Sequence, residues 1–185
     1  MTSPTIDTIT LAGGCFWCLE AVYEQVDGVT AVESGYANGH VTKPSYEQVC
    51  RGDTGHAEVV RVSFDTSRIG LREILEIFFS IHDPTTPNRQ GNDVGPQYRS
   101  IILTHSDEQE RVAKEIIAEL TAEKAFDAPI VTEVGPLTTF YAAEGYHQNY
   151  YRDHRMQPYC VFVVSPKVAK FRKKFAERVK RSAEA

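Results

Sequence analysis

The stretch LAGGCFWCLEAV, residues 11–22, holds the side chains with the most evident capacity for chemistry. Cys15 follows two glycines at the predicted start of a helix over residues 15–26. There the helix dipole and free backbone N–H groups stabilise a thiolate, and they lower the pKa of a cysteine from about 8.5 toward neutrality. The thiolate is the nucleophilic form, so Cys15 is a candidate nucleophile. A thiol that only fills space in the core is the plainer alternative.

A second thiol, Cys18, lies three residues after Cys15 and leaves two interpretations open. The spacing is that of a thioredoxin-type dithiol at a helix start. The intervening Phe16 and Trp17 are large, whereas such dithiols usually enclose a small, turn-forming pair, and this favours a nucleophile beside an apolar pocket. A zinc site is disfavoured because the other two cysteines are isolated and no second Cys-x-x-Cys exists.

A carboxyl group, Glu58, lies on the apolar side of a predicted strand over residues 56–64. By the two-residue period of a strand it shares that side with Val60, Val62 and Phe64. Such a group is paired, exposed at the strand end, or neutral because burial raises its pKa. A neutral Glu58 would be able to donate a hydrogen bond, and a carboxylate at a frayed strand end is the alternative.

Three more polar residues lie in or beside turn-rich segments and could converge on Cys15. They are Tyr36 in SGYANG, and Asp93 and Tyr98 in GNDVGPQYR. Loops often carry function, although tyrosines in loops more often only pack. Each of these signals is weak when taken singly.

The histidines show no spacing typical of metal ligands. We therefore interpret His56, His147 and the others as structural or exposed. The aromatic cluster YHQNYY, residues 146–151, is likewise interpreted as packing rather than as a cofactor site. The sequence thus predicts no metal and no organic cofactor.

The elements that would position these side chains mix strands and helices irregularly. Period-two alternation and short apolar runs predict strands over residues 8–12, 29–36, 56–64, 98–104, 129–134 and 160–164. Apolar stripes at helical spacing predict helices over residues 15–26, from 71, from 106 and from 167, with 141–155 partly helical. Residues 82–97 form a long loop of the kind that is often functional. This mixture favours an α+β fold with one catalytic domain over residues 1–185.

Composition bounds the class of protein. The chain has 185 residues, a formal net charge of -5 and ordinary apolar and charged fractions. It has neither a membrane-length apolar run nor a secretory signal, so we expect a cytosolic protein whose four cysteines are thiols. Residues 166–185 form a basic C-terminal helix and tail, whose apolar stripe predicts docking on the core rather than nucleic-acid binding.

Five stretches occur in this order: GGCFWCLEA, SGYANG, TGHAEVV, FFSIHDPTTPNRQGNDVGPQYRS and AAEGYHQNYY. Over about residues 9–165 the chain therefore closely resembles the A-type peptide methionine sulfoxide reductases. The resemblance implies a ferredoxin-like α/β sandwich with long loops and without metal or organic cofactor. It also implies reduction of the S epimer of methionine sulfoxide, free or in proteins, with thioredoxin as the reductant.

The resemblance also implies roles for the matching positions. Cys15 would be the nucleophile, and Phe16 and Trp17 would form the walls that hold the substrate methyl group. Glu58 would be the acid, and the polar side would be completed by Tyr36, Tyr98 and Asp93. Reaction would leave Cys15 as a sulfenic acid, which condenses with a second thiol to a disulfide.

Three cysteines could supply that second thiol. Cys160, in QPYCVF, lies where related chains often carry a mobile resolving cysteine, and we favour it, although the apolar run that follows suggests an ordered segment. Cys18 is one helical turn from Cys15. Cys50 is a third possibility, but we expect it to be a buried structural thiol.

Two rival functions remain at this level. A thioredoxin-like dithiol oxidoreductase using Cys15 and Cys18 would reduce protein disulfides without any dependence on a sulfoxide. A non-enzymatic module would use the basic C-terminal helix to bind an anionic partner, with salt-sensitive binding lost on deletion of residues 167–185. A monomer is the default expectation for the oligomeric state.

Overall fold

A mixed six-stranded sheet forms the centre of the computed structural model, which describes residues 5–181. The strands are β1 Ile6–Ala12, β2 Val29–Ala37, β3 Ala57–Asp65, β4 Arg89–Gln90, β5 Asp93–Val94, β6 Ile101–Thr104, β7 Glu133–Pro136 and β8 Phe140–Ala142. Strands β4 and β5 form a separate hairpin, and the sheet order is β7-β6-β1-β3-β2-β8. All pairs in the sheet are antiparallel except β6 with β7.

Within residues 5–181, six α-helices and several single turns complete the fold. The helices are α1 Phe16–Tyr23, α2 Tyr46–Cys50, α3 Leu71–Ile81, α4 Asp107–Ala122, α5 Tyr150–Asp153 and α6 Ser165–Lys174. The succession β1-α1-β2-β3-α3-β6, with sheet order β6-β1-β3-β2, is the split βαβ arrangement of ferredoxin-like folds. The predicted α+β class is confirmed. The basic tail predicted to residue 185 ends outside the described residues.

The main core lies between the sheet and the layer of α1, α3, α4 and α6. Alternate residues of β3, among them Val60, Val62 and Phe64, face this layer and are completely buried. Val59 belongs to a smaller cluster on the opposite face of the sheet. The two-residue period therefore directs Glu58 toward α1, as the sequence predicts. No helix within residues 5–181 is long and apolar enough to cross a membrane.

The predicted strand over residues 160–164 is wrong, because this segment is a π-helical turn, Cys160–Val164, that leads into α6. Cys160 and Val164 are buried, whereas Val161 and Phe162 are 39% and 78% exposed. Burial thus repeats at helical spacing. A five-residue apolar run does not distinguish a strand from a helix, so tertiary packing decided the conformation.

Two other predicted strands are displaced. The strand predicted over 98–104 begins at Ile101, because Pro96–Tyr98 forms a 3-10 turn with proline at its first position. The strand predicted over 129–134 is β7, which begins only at Glu133, where its parallel register with Ile101 starts. The helix predicted over residues 15–26 ends earlier, at Tyr23.

The basic C-terminal helix docks by its apolar stripe. Val168 and Phe171 of α6 are 6% and 0% exposed, and Phe175 and Val179 pack partly buried against the same core. The helix ends at Lys174, its last turn carrying the cations that suit a helix C-terminus. The prediction of docking on the core by this stripe is confirmed.

Candidate active site

Cys15 lies where β1 turns into α1, immediately before the first helical residue. The turn requires Gly14, whose φ is +87° and on which a Cβ would lie 2.7 Å from Gln90 Cγ. The Gly14 N–H donates to the Tyr98 carbonyl at 3.2 Å, so the turn is tied to the loop before β6. Cys15 itself is only 7% exposed. The fold thus holds the thiol at a helix N-terminus inside a closed site.

Glu58 lies beside Cys15 and is 1% exposed. Its Oε1 accepts the Phe16 N–H at 3.2 Å, while its Oε2 has no partner among the described residues. Burial raises the pKa of this carboxyl to about 8, against the opposing effect of the Phe16 N–H, and the charge of Asp93 adds to the rise. The side chain is therefore mostly protonated at neutral pH, as expected for a buried acid.

The expected lowering of the Cys15 pKa is wrong for this closed conformation. Burial raises the pKa of the thiol well above its usual range, and the charges of Glu58 and Cys18 raise it further. The Trp17 backbone N–H and the Tyr159 hydroxyl act in the opposite direction but do not prevail. Desolvation costs more than the helix terminus and these donors supply, so Cys15 rests as a thiol.

Two aromatic side chains follow Cys15 at the start of α1. Phe16 is completely buried, and the half-buried Trp17 stacks on Tyr150 with ring centroids 3.8 Å apart and planes within 6°. Tyr159 meets Trp17 edge-on at 5.7 Å. The indole N–H of Trp17 donates to His147 Nδ1 at 3.1 Å. Apolar surface of this kind suits a methyl group more than a charged ligand.

Asp93 and Tyr98 reach the same site from the long loop. Asp93, on the β4–β5 hairpin, accepts a hydrogen bond of 2.6 Å from the Tyr159 hydroxyl. Burial raises the pKa of Tyr98, and the charges of Glu58, Asp93 and Cys15 add to the rise. Tyr98 and Asp93 thus both lie within electrostatic range of Glu58.

Tyr36 is placed differently from the other predicted residues. It pairs with Glu58 in the β2–β3 register and its ring lies 5.7 Å from that of Phe16. Its hydroxyl, however, donates to Glu144 Oε1 at 3.0 Å. The Tyr36 hydroxyl therefore contacts Glu144, and the Tyr36 ring packs beside Phe16.

Tyr46 is a site residue that the sequence analysis missed. Ser45 and Gln48 form a capping box that starts α2 at Tyr46. Burial raises the pKa of Tyr46, as do a hydrogen bond between its hydroxyl and Cys50 and the nearby charges of Glu58 and Cys15. The capping pattern SYEQ was available in the sequence, but it indicates only a helix start.

Tyr159 is the second residue that sequence analysis missed. Besides donating to Asp93, its hydroxyl lowers the pKa of both Cys15 and Cys18, so it lies close to both thiols. It comes from a segment 144 positions after Cys15, which only the tertiary fold brings to the site. Tyr159 therefore links Asp93, Trp17 and the two thiols.

The four cysteines are free thiols in different surroundings. Cys18 is 1% exposed on α1, and Cys160 is completely buried in the π-helical turn next to Tyr159. Cys50, expected to be buried, is instead exposed at the end of α2, because Val49 is the residue of that helix that enters the core. Its burial was therefore predicted wrongly.

The histidines are structural, as predicted, although one of them touches the site. His56 is buried, accepting from the Gly39 N–H at 2.9 Å and lying 2.7 Å from the Val41 carbonyl. His147 is buried against Trp17. Within residues 5–181 no group of three or more His, Cys, Asp or Glu is arranged to hold a metal ion.

Comparison with known proteins agrees with this geometry. The family model of peptide methionine sulfoxide reductase matches residues 7–179. The peptide methionine sulfoxide reductase MsrA of Trichodesmium erythraeum is 58% identical over 94% of this chain and 98% of its own length.

Solved structures show the same similarity. Mxr1 from Saccharomyces cerevisiae in reduced form superposes with a TM-score of 0.76 and 40% identity, covering 84% of this chain and 89% of Mxr1. Mxr1 in complex with Trx2 gives a TM-score of 0.54 at 29% identity, covering 81% of this chain and 88% of that one. The reduced form of Mxr1 thus resembles this chain more than the form bound to Trx2 does.

Proposed function

This chain belongs to the peptide methionine sulfoxide reductase family, and from that premise we propose that it reduces the S epimer of methionine sulfoxide with Cys15 as nucleophile. One observation carries the proposal. The buried, mostly protonated Glu58 lies within hydrogen-bonding reach of the Cys15 side chain at the start of α1. A sulfoxide oxygen is a strong acceptor, and it becomes a good leaving group only when protonated.

The reaction balances with these groups alone. The Cys15 sulfur loses its proton and attacks the sulfoxide sulfur, forming an S–S bond, while Glu58 delivers a proton to the oxygen. The resulting hydroxyl group passes to the Cys15 sulfur as the S–O and S–S bonds break, and the proton that Cys15 lost restores the Glu58 carboxyl. The methionine sulfur is reduced by two electrons and leaves as a thioether, and Cys15 is oxidised by two electrons to a sulfenic acid.

The surrounding residues divide into two sides. Phe16 and Trp17 hold the methyl group of the substrate. Tyr98 and Asp93 serve the polar side together with Tyr46. Tyr36 acts one step away, because Glu144 accepts from both the Tyr36 hydroxyl and the Tyr46 backbone N–H, at 3.0 and 3.2 Å, so that Tyr36 positions the start of α2.

A second thiol must resolve the sulfenic acid, and we assign this role first to Cys160. The residue before it, Tyr159, already reaches Cys15. Cys160 lies in a π-helical turn, a conformation that is rare and short in proteins and that must unwind for the sulfur to approach. Cys18, one helical turn from Cys15, is the alternative resolver.

The disulfide needs an external dithiol for its reduction. The yeast relative forms a complex with Trx2, and we propose that a thioredoxin recycles this enzyme as well. The four free thiols suit a reducing compartment, so we place the protein in the cytosol. We further propose that it is a monomer without a nucleic-acid partner or an organic cofactor.

The test is a single turnover followed by mass spectrometry. The reduced protein receives one equivalent of the S epimer of methionine sulfoxide without any reductant, and the R epimer serves as control. We expect methionine from the S epimer only, together with a disulfide that joins Cys15 to Cys160. A disulfide from Cys15 to Cys18 would transfer the resolving role to Cys18. Reduction of neither epimer, with rapid reduction of insulin disulfides, would identify a dithiol oxidoreductase.

A further inference from the structure

One buried histidine contacts the substrate-binding aromatics without having a part in the reaction. His147 ends the 3-10 turn Gly145–His147 and is 1% exposed. Its Nδ1 accepts the indole N–H of Trp17 at 3.1 Å. Its ring also packs against Phe16 and Tyr46, with centroids 5.1 and 4.3 Å away. His147 thus contacts both walls of the methyl pocket and one residue of its polar side.

The hydrogen bond defines the state of the ring. Because Nδ1 accepts, the imidazole must be neutral, with its proton on Nε2. Nε2 has no hydrogen-bond partner among the described residues, and the nearest carboxylate oxygen is Glu144 Oε2 at 3.9 Å. Burial lowers the pKa of His147, and it prevails over the charges of Glu144 and Glu47, which raise it. Trp17 therefore faces an acceptor and not a cation at neutral pH.

The turn that carries this histidine is firmly attached to the sheet. The next residue, Gln148, accepts the Ser34 N–H at 3.0 Å and donates to the Ser34 carbonyl at 2.9 Å. The Gln148 side-chain amide also donates to the Ala143 carbonyl at 3.1 Å, which closes the turn. The acceptor for Trp17 is consequently fixed to strand β2 and not to a mobile loop.

The stacking partner of Trp17 does not by itself define the indole orientation. Tyr150 lies parallel to the indole, with ring centroids 3.8 Å apart. Stacked rings can slide past each other and rotate, each in its own plane, at little energetic cost. One directional hydrogen bond at the edge of the ring removes that freedom. We propose that His147 is a positioning residue that orients the Trp17 indole and thereby determines how tightly the methyl group of the sulfoxide is bound. This inference rests on the proposed role of Trp17 as a pocket wall.

Steady-state kinetics of three variants test it. His147→Phe keeps an aromatic ring but removes the acceptor, His147→Gln restores an acceptor, and His105→Gln is a control at an exposed histidine bonded to Thr10. We expect His147→Phe to lower kcat/KM by about tenfold, mainly through KM, because loss of one such hydrogen bond has effects of that order. His147→Gln should recover most of the loss. A lower kcat at unchanged KM would overturn the proposal.

The fluorescence of the chain's single tryptophan reports on the same contact without turnover. Acidification should protonate His147 and break its bond to the indole, so emission should change in a transition below the usual histidine pKa of 6.5. Both His147 variants should lack this transition. Glu144, Glu47, Tyr46 and Tyr146 also face the ring, but they are intact in both variants. If the fluorescence transition persists in the two His147 variants, it arises from these neighbours, and the assignment of the transition to His147 is overturned.

A double-mutant cycle separates positioning from folding. Trp17→Phe has no N–H to donate, so adding His147→Phe to it should change KM by less than about twofold. The same tenfold loss on either background would show that His147 merely supports the fold and would overturn the proposal. If wild-type protein reduces no sulfoxide but keeps the fluorescence transition, the proposed function fails while the contact between His147 and Trp17 stands.

Discussion

Replacing Glu58 by glutamine isolates the acid step. Glutamine keeps an oxygen to accept the Phe16 N–H and gains an N–H₂ group that can donate to the sulfoxide, but it has no proton to transfer. With a pKa of about 8 the wild-type carboxyl is about nine-tenths protonated at pH 7. General acids contribute on the order of 10²- to 10⁴-fold to rates. We expect Glu58→Gln to slow formation of the Cys15 sulfenic acid by that factor, with substrate affinity changed less than about threefold.

The assay is single-turnover release of methionine, followed by rapid quench, over a range of pH. In the wild type the acid contribution should decline as pH rises through about 8, because Glu58 then loses its proton. The Gln variant should lack this decline. A single-turnover rate within about threefold of wild type would refute the acid role of Glu58.

The same substitution should stabilise the fold, with a definite pH dependence. The unfolded Glu58 loses its proton near pH 4.5 and the folded one near 8. Below pH 4.5 both states are protonated and Glu58 carries no penalty; as pH rises toward 8 the unfolded state is increasingly favoured. The full penalty, reached above pH 8, is on the order of 5 kcal/mol. The melting temperature of Glu58→Gln should therefore exceed that of wild type at pH 8 and match it at pH 4.5.

A matched control exists on α1. Glu20 is likewise 1% exposed, its pKa is raised by burial to about 7, and its Oε2 accepts from the Ser34 hydroxyl at 2.9 Å. Glu20→Gln should also raise stability at neutral pH, by less than Glu58→Gln does, because the pKa shift is smaller. It should leave the single-turnover rate unchanged. If both variants lose rate equally, loss of a buried carboxylate and not loss of the acid explains the effect.

Three further predictions follow from the geometry. Tyr159→Phe breaks the hydrogen bond that holds its segment at Asp93, and we expect the gain in access to outweigh the loss of a hydroxyl that lowers the Cys15 pKa; alkylation of Cys15 by iodoacetamide should accelerate by about 3- to 10-fold, and an unchanged or slower rate would contradict this. Tyr46→Phe should lower the single-turnover rate more than Tyr36→Phe does, and the reverse order in the same rapid-quench assay would return the direct role to Tyr36. Gly14→Ala forces a positive φ on a residue with a Cβ, so urea denaturation should show a loss of about 1–3 kcal/mol, and an unchanged midpoint would exclude strain in the turn.

Local periodicity was sufficient for much of the fold. The side of the sheet that Glu58 occupies follows from a two-residue period that no tertiary contact alters. The apolar stripe of α6 follows in the same way from helical spacing. The conformation of Cys160–Val164 did not follow from local periodicity. A five-residue apolar run satisfies both the strand period and the helix period, and packing selected the helical one.

The polar side of the site was less accessible from sequence. Tyr36 and Tyr46 are both tyrosines beside turns, and nothing local indicates that the hydroxyl of Tyr36 meets Glu144 while that of Tyr46 meets Cys50. Tyr159 is farther from the site along the chain than either of them. Such assignments depend on contacts between distant segments, which one sequence does not encode in any local pattern.

The Cys15 pKa shows how these distant contacts change the chemistry. The helix N-terminus favours the thiolate, yet the closed site raises the pKa because water is excluded and Glu58 is adjacent. The same exclusion keeps Glu58 protonated. Burial therefore keeps the acid protonated and the nucleophile in its thiol form at the same time. Because the thiolate is also the form that oxidants attack, the resting thiol is the less easily oxidised form of Cys15.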